Sequence, residues 1–240
     1  MKVLAIDVGG TNVKVLLSGE DTPRKFESGP KMTAGEMVKG VKKITKDWKY
    51  DAIAMGYPAP VMRNHPILDP YNLAKGWVGF PYAKAFGCPV KILNDAAMQA
   101  LGSYKGKGRM LFLGLGTGLG TAMVDNGIVE PMELGHLPYK NGKTYEDYVG
   151  LRGLKKHGKK KWRKNVADVV ERLTAAIEPD DVVLGGGNVK KLKELPPGCR
   201  LGNNYNAFVG GFRMWNVEPG KNIKPAVKPE TSKQQTKKGA

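Results

Sequence analysis

The chain has 240 residues, of which 41% are hydrophobic and 25% are charged. This length accommodates one large domain or two smaller ones with a hydrophobic core. No apolar run approaches the roughly 18 residues that a membrane-spanning helix needs, and the apolar N-terminus predicts a core strand rather than a signal peptide. The two cysteines, Cys88 and Cys199, are far apart in sequence. We therefore expect neither a disulfide framework nor a cysteine-rich zinc site, and a reducing cytoplasm is the expected location.

The charge balance is strongly basic, with a formal net charge of +17. Such a charge suggests a polyanionic partner, such as a chain of phosphates, nucleic acid or an anionic surface. Part of the charge lies in residues 217–240, which are rich in Lys and Pro and poor in apolar residues. We expect this tail to be disordered. Its role is open between solubility and binding.

The first half of the chain alternates predicted strands with predicted helices. Thr33, followed by Glu36 three residues later, is typical of a helix N-terminus. Residues 57–81 hold five of the 16 prolines, which predicts irregular structure. The elements expected here are strands over residues 2–6, 12–17, 51–56 and 90–93, and helices over 33–47 and 95–105.

The second half repeats this pattern, and it also begins with two strands joined by a glycine-rich turn. The sequence therefore predicts two α/β lobes divided near residues 95–108, one over 1–105 and one over 106–216, with the tail beyond. The elements expected here are strands over residues 109–115, 121–124 and 181–187, and helices over 163–178 and 188–195.

Two glycine-rich turns stand out, "DVGGT" at 7–11 and "GLGTGLGT" at 114–121. Glycine lets the backbone approach a ligand closely, and successive N–H groups can then bind phosphate. Neither turn has the GxGxxG spacing. The nearest approach to a Walker A motif, at 153–160, has Lys160 where Ser or Thr is required. From the residues alone, flexible hairpin turns and phosphate-binding turns remain alternatives.

Four motifs, with three accompanying segments in the right order, resemble those of the ROK (repressor–kinase) family of sugar kinases. Within that family, the pattern is similar to the bacterial polyphosphate glucokinase branch. The resemblance covers residues 1 to about 215 and implies a two-lobed actin/hexokinase-like (ribonuclease H-like) α/β fold, with mixed sheets and an interlobe cleft. The motifs are "DVGGTNVK" (first phosphate), "LGTGLGT" (second phosphate), "VVLGGG" (adenosine) and "ELGH" (the ExGH signature), accompanied by "NLAKGW", "LNDA" and "GNNYNAFVGG".

The resemblance makes Asp95 the general base that accepts the proton of the sugar hydroxyl, and Asn94 a sugar ligand. Asp95 is expected at a strand end, where a helix begins and near the division between the lobes. A carboxylate in that place can accept a proton as the hydroxyl attacks. From the residues alone, the competing interpretation is that Asp95 is a helix N-cap.

The resemblance also implies phosphate and magnesium ligands. Asp7 would organise Mg²⁺ through water, since Mg²⁺ loses its water reluctantly. Lys14 could face phosphate, although a lysine exposed on a strand is the alternative. The phosphate-binding residues implied by the resemblance are Gly9, Gly10, Thr11, Lys14, Gly116, Thr117 and Gly118, and the nucleotide-binding residues are Gly185, Gly186 and Gly187.

Sugar binding is implied for the ExGH pair, Glu133 and His136. In many ROK kinases a cysteine-rich zinc segment follows this signature and ends in a sugar-binding Glu. Here "NGKTYEDY" occupies that place without cysteine. The resemblance therefore implies that structural zinc is absent and that Glu146 is the matching residue, with Asp147 adjacent to it. The other sugar-site candidates are Asn72, Lys75 and, as a wall of the pocket, Gly56.

The segment 152–164 contains eight Lys or Arg residues and no acidic residue. One interpretation is a solvated helix end and loop. The other is a track for a long phosphate chain, with Trp162 anchoring the segment and the basic residues releasing counterions. Both interpretations stay open.

The predicted activity is therefore transfer of a phosphoryl group from polyphosphate, ATP or both to the 6-hydroxyl of glucose, with Mg²⁺. The alternatives are a sugar-sensing regulator and a non-catalytic polyanion-binding protein. Regulators of this family carry an N-terminal helix–turn–helix, for which the first phosphate strand near Met1 leaves no room. We expect neither nucleic acid nor a membrane as partner, and a homodimer is a candidate assembly because such proteins are often dimers.

Overall fold

The structure, a computed structural model, describes residues 1–217. The predicted tail at 217–240 lies outside the described residues, apart from Val217. The strands are β1 (Val3–Val8), β2 (Asn12–Leu17), β3 (Arg24–Glu27), β4 (Ala52–Tyr57), β5 (Val61–Met62), β6 (His65–Pro66), β7 (Val90–Asn94), β8 (Arg109–Leu115), β9 (Leu119–Asp125), β10 (Ile128–Met132), β11 (Asp181–Gly185) and β12 (Cys199–Leu201). The helices are α1 (Ala34–Ile44), α2 (Tyr82–Phe86), α3 (Asp95–Ser103), α4 (Tyr145–Val149), α5 (Leu151–Ile177) and α6 (Asn206–Arg213), with short 3₁₀ helices at Leu134–His136 and Val189–Lys191.

Each half of the chain builds a five-stranded mixed sheet. The first has the order β3-β2-β1-β4-β7 and the second the order β10-β9-β8-β11-β12. In both sheets the first two strand pairs are antiparallel and the last two are parallel. The predicted α/β class with mixed sheets is confirmed.

The central strands are apolar because helices cover both of their faces. Leu4 and Ile6 of β1 pack with α1, while Val3 and Ala5 on the opposite face pack with Phe208 of α6. Side chains along a strand alternate between its two faces, so both sets need apolar partners. The second sheet follows the same rule, with α5 on one face and α3 on the other.

Helices α3 and α6 lie against each other and join the two sheets. α3 contacts β4 of the first sheet and also β8 and β9 of the second, and α6 contacts β1 and β4. The Nδ2 atom of Asn206 donates to Ser103 Oγ at 2.9 Å, and Arg213 Nη1 donates to the carbonyl oxygens of Leu101 and Tyr104 at the end of α3. This helix pair places the start of α3 between the sheets.

Some predicted elements differ from the structure. The expected capping box of α1, between Thr33 and Glu36, is present. The predicted helix over 188–195 is wrong, since only a 3₁₀ turn forms there. Asn188 makes no side-chain cap and donates its amide to Gly116 O instead. The helix predicted over 163–178 begins earlier, at Leu151. The basic segment, for which a solvated helix end and loop was one of two open interpretations, is helical with a kink at Gly158.

None of the helices in the described part of the chain is both long and apolar enough to cross a bilayer.

Candidate active site

A cleft of about 990 Å³ lies between the two sheets. The first sheet contributes the turn after β1, the segment before α2 and the start of α3, and the second contributes the turn before β9 and the segment from β10 to the start of α5. This volume is in the range of small-molecule sites. The predicted site residues that line the cleft are Gly9, Gly10, Asn72, Asn94, Asp95, Gly116, Thr117, Gly118, Glu133, His136, Glu146 and Gly186.

Asp95 begins α3 in the cleft, but it does not cap the helix. The Oδ1 atom of Asn94 accepts the N–H groups of Ala96 at 3.0 Å and Ala97 at 3.2 Å, so Asn94 is the N-cap. Asp95 Oδ1 also accepts the N–H of Ala96, at 2.8 Å. Asp95 also lines the cleft.

Burial and two neighbouring carboxylates raise the pKa of Asp95. Desolvation and the negative charges of Asp7 and Glu133 raise the pKa of Asp95 to about 7, while the N–H of Ala96 opposes the shift. A carboxyl group whose pKa is close to neutral can both accept and release a proton there. Shifts of this size often occur at functional sites.

Asp7 and Lys14 face each other across β1 and β2. Lys14 Nζ lies 3.3 Å from Asp7 Oδ2, so its ammonium pairs with the carboxylate predicted to organise Mg²⁺. Thr11, in the turn between these strands, is exposed, and its carbonyl oxygen accepts the N–H of Ser28. Ser28 Oγ also donates to Gly9 O at 2.6 Å. The glycine turn after β1 is therefore held from the side by Ser28, the residue that follows β3.

Four other predicted residues do not line the cleft. Gly56 is buried in β4, where a Cβ atom would lie 2.5 Å from Met98 Cε. Gly185 lies beneath the ring of Phe112, and Gly187 and Lys75 are exposed. Of the predicted adenosine motif, only Gly186 lines the cleft.

The ELGH segment forms a 3₁₀ turn against β9. Glu133 Oε2 lies 3.5 Å from His136 Nε2, and their side chains are 56% and 68% exposed. Desolvation raises the pKa of Glu133, the charge of Glu146 adds to the rise and His136 opposes it. Gly135 is buried, and a Cβ atom there would lie 2.8 Å from Leu119 O. Only glycine allows this close approach, which aims the Glu133–His136 pair at the cleft.

Glu146 and Asp147, adjacent in the first turn of α4, have different roles. Asp147 completes a capping box with Thr144, and its Oδ1 also accepts from Arg152 at 3.1 Å. Glu146 reaches the second phosphate turn instead, where its Oε2 accepts the N–H of Leu119 at 3.0 Å. Both side chains line the cleft, but the Asp147 carboxylate is already hydrogen-bonded to Thr144 in the capping box.

An aromatic cluster occupies the place where relatives are expected to have a zinc segment. Tyr139 packs against Tyr145 and Tyr148, with ring centroids 5.2 and 5.0 Å apart, and Tyr148 stacks on His157 of α5 at 5.2 Å. The Tyr139 hydroxyl donates to Asp168 of α5. These contacts attach the segment between β10 and α4 to the long helix. Within residues 1–217, no group of three or more His, Cys, Asp or Glu side chains could hold a metal.

The second phosphate turn is held on three sides. Leu151 N, at the start of α5, donates to Thr117 O at 3.0 Å, and Asn188 Nδ2 donates to Gly116 O at 2.8 Å. Leu119 N is bound by Glu146. Asn188 belongs to none of the predicted site residues, and its only signal in the sequence is its position directly after the three glycines.

Basic and aromatic residues at the cleft mouth complete the site. Arg152 and Lys155, the first two basic residues of the segment 152–164, line the cleft. Trp162 is fully buried and donates Nε1 to Val149 O at 2.7 Å, so it anchors the segment. Tyr71, which the sequence analysis did not single out, lines the cleft and is 94% exposed.

Several known proteins are similar to this chain in sequence or in structure. Polyphosphate glucokinase of Mycobacterium tuberculosis is 28% identical to this chain, with 80% of each protein covered. The inorganic polyphosphate/ATP-glucomannokinase of Arthrobacter sp. strain KM has a similar structure, with a TM-score of 0.73, 20% identity and coverage of 87% of this chain and 96% of that one. A ROK family glucokinase of Streptomyces griseus, solved with glucose and AMPPNP, has a TM-score of 0.72, 15% identity and coverage of 89% and 99%.

These structural neighbours confirm the predicted actin/hexokinase-like fold. The family model described as the ROK family matches residues 3–143, which is more than half of the chain and includes Asp95 and the ELGH segment. The chain therefore belongs to the ROK family.

Proposed function

We propose that this protein is a sugar kinase that phosphorylates the 6-hydroxyl of glucose, with Asp95 as general base. The observation that carries the proposal is the position of Asp95. It lies in the cleft with a pKa raised to about 7, and the two glycine turns and the Glu133–His136 pair line the same cleft. The relatives named as polyphosphate glucokinase and glucomannokinase support a sugar as acceptor.

Each wall of the cleft supplies part of the chemistry. Phosphoryl transfer relies on positioning and on electrostatic stabilisation of the phosphates. Glu133, His136 and Glu146 offer acceptors and a ring nitrogen for sugar hydroxyls. Unprotonated Asp95 accepts the proton of the attacking hydroxyl, and a base with a pKa close to the working pH does this efficiently. The backbone of the two glycine turns approaches the donor phosphates from opposite sides.

Mg²⁺ would neutralise charge on the donor phosphates. The residues fit such an ion, because Asp7 and Asp95 are close enough for one charge to raise the pKa of the other. A cation shared with phosphate relieves that repulsion. Mg²⁺ commonly binds through one or two carboxylates, waters and substrate phosphates rather than through a complete protein cage. Asp7 is the residue we propose for this role.

The proposed donor is polyphosphate, ATP or both. Arg152 and Lys155 line the cleft beside Thr117, whose carbonyl oxygen is bound by the first N–H of α5. Exposed lysines continue along the same helix. A phosphate chain that entered at the glycine turn would therefore leave along basic residues, which favours polyphosphate. The names of two relatives include polyphosphate, and another was solved with AMPPNP.

The test of the activity uses the purified full chain with glucose and Mg²⁺, supplied separately with ATP and with polyphosphate. We expect glucose 6-phosphate with at least one donor and a loss of about 10² or more in kcat for Asp95→Asn. Absence of product with both donors would overturn the proposal. Sugar or polyphosphate binding without product would favour the regulator or the polyanion-binding protein.

The donor track is tested with Lys155→Ala and a control, Lys43→Ala, which removes an exposed lysine in the last turn of α1. We expect Lys155→Ala to raise KM for polyphosphate and to weaken its dependence on salt, with little effect on KM for ATP. Equal effects of the two variants, or activity with ATP alone, would refute the track. Cytoplasmic location and dimerisation stay predictions.

A further inference from the structure

Glu146 makes a contact that sugar binding alone does not explain. Its Oε2 atom accepts the N–H of Leu119, the first residue of β9, immediately after the glycine turn. Leu119 is buried. Its amide N–H donates to this carboxylate, and a buried donor left unpaired costs about 1–3 kcal/mol. Glu146 therefore contributes to the conformation of the second phosphate turn.

The turn is shaped to receive this carboxylate. A Cβ atom on Gly118 would lie 2.1 Å from Glu146 Oε2, so any larger residue would displace the side chain. By contrast, a Cβ atom on Gly116 meets no atom within 4 Å. Close approach thus explains the glycine at position 118 but not the one at 116.

The same side chain also faces the sugar half of the cleft. The charge of Glu146 raises the pKa of Glu133, and the Cβ that glycine lacks at position 135 would lie 3.6 Å from Glu146 Cβ. Among the described residues, no hydrogen bond uses the second oxygen, Oε1. One carboxylate thus touches the phosphate turn while its other oxygen is available to a sugar hydroxyl.

We infer that Glu146 is a positioning residue that couples sugar binding to the phosphate turn, through its hydrogen bond to Leu119. This inference rests on the proposed function. When a sugar hydroxyl donates to one oxygen and Leu119 N–H to the other, the acceptor sugar and the donor-binding turn are held in one fixed relationship. Alignment of reacting groups is worth several kcal/mol in transfer reactions, so loss of this link lowers kcat.

The first test measures the link without any substrate. Amide hydrogen exchange of Leu119 is followed by NMR in the ligand-free chain, in wild type and in Glu146→Asp. Aspartate is shorter by one methylene and does not reach both the Leu119 N–H and a sugar hydroxyl. We expect faster exchange of the Leu119 amide in the variant. Unchanged exchange would overturn the inference, whether or not the chain proves to be a glucokinase.

The second test measures coupling between the two halves of the cleft. Glucose affinity is determined with and without AMPPNP, and kcat and KM are measured alongside. We expect AMPPNP to tighten glucose binding about tenfold in wild type, a usual size for coupling between sites, and to have little effect in Glu146→Asp. The control is Glu133→Gln, which should weaken glucose binding in both conditions and preserve the ratio.

A third variant keeps the charge of Glu146 and moves only its position. Gly118→Ala displaces the carboxylate, whereas Gly29→Ala, which is not in the cleft lining, adds the same methyl group in open space. Loss of coupling in Gly118→Ala, with coupling kept in Gly29→Ala, supports the inference. Coupling that survives both Glu146→Asp and Gly118→Ala refutes it. A wild-type chain that produces no glucose 6-phosphate refutes the proposed function instead.

Discussion

Asn94 caps helix α3, and this frees the neighbouring Asp95 to face the cleft. The two residues share one helix start but have separate tasks. Asn94 Oδ1 accepts two backbone N–H groups, whereas Asp95 accepts one of them with Oδ1 and lines the cleft. From the residues alone, Asp95 could be a general base or the helix N-cap. The structure places the N-cap at Asn94.

Replacement of Asn94 tests this division. Asn94→Ala removes the cap and should lower the free energy of unfolding by about 1 kcal/mol. Asn94→Ser keeps a side-chain acceptor and should retain most of that stability. Chemical denaturation measures both. We also expect Asn94→Ala to lower kcat more than Asn94→Ser, because Asp95 begins the helix that the cap holds. Equal destabilisation by the two variants would contradict a capping role.

The rate of the proposed reaction should depend on the ionisation of Asp95. Because the pKa of Asp95 is about 7 in the free protein, kcat/KM for the sugar should fall by about tenfold per pH unit below that value, as the base becomes protonated. Glu133→Gln removes one of the charges that raise this pKa, so it should move the midpoint to lower pH. A profile that is flat from pH 8 to 5 would exclude Asp95 as the base.

The same group should make stability depend on pH in the opposite sense to an ordinary carboxylate. The folded chain holds the Asp95 proton more tightly than the unfolded chain, since the pKa rises from 3.8 to about 7. The protonated form therefore stabilises the fold at low pH, and this contribution is lost as the pH rises through 7. Asparagine does not ionise, so Asp95→Asn does not lose this stability as the pH rises.

We expect Asp95→Asn to be more stable than wild type at pH 8, by an amount on the order of 2 kcal/mol, and the difference to shrink towards pH 4. Urea unfolding of both proteins at several pH values provides the measurement. Asp51, an exposed residue directly before β4, supplies a control. Asp51→Asn should show no comparable gain at pH 8. Equal stability of wild type and Asp95→Asn across this range would refute burial as the cause of the shift.

Local patterns predicted the sheets well, whereas contacts between distant segments escaped prediction. Apolar runs marked β1, β4, β8 and β11 because both faces of these strands are covered. The strand β10 was missed because all five of its residues, including Glu130 and Pro131, are exposed or only partly buried. The helix expected at 188–195 failed because Asn188 bonds across 72 positions to Gly116 rather than capping a helix.

Similar limits applied to the site. Asp95, Glu133 and His136 lie in short motifs, and resemblance to a family identified them. The link between Glu146 and Leu119 spans 27 positions and depends on how closely α4 approaches β9. No spacing rule in the sequence encodes such an approach. The same is true of Tyr139 and Asp168, which meet only because α5 runs back along the segment before α4.

That tyrosine gives the last prediction. Tyr139→Phe keeps the ring but removes the hydroxyl that donates to Asp168, and it should cost about 1 kcal/mol of stability. Because Tyr139 packs on Tyr145 beside Glu146, we expect faster amide exchange over residues 137–149 and a raised KM for the sugar. Tyr205→Phe removes a hydroxyl that donates to Asp21 O, away from this segment, and should leave that KM unchanged. If Tyr139→Phe matched Tyr205→Phe in exchange and in KM, the aromatic cluster would not be what holds the segment in place.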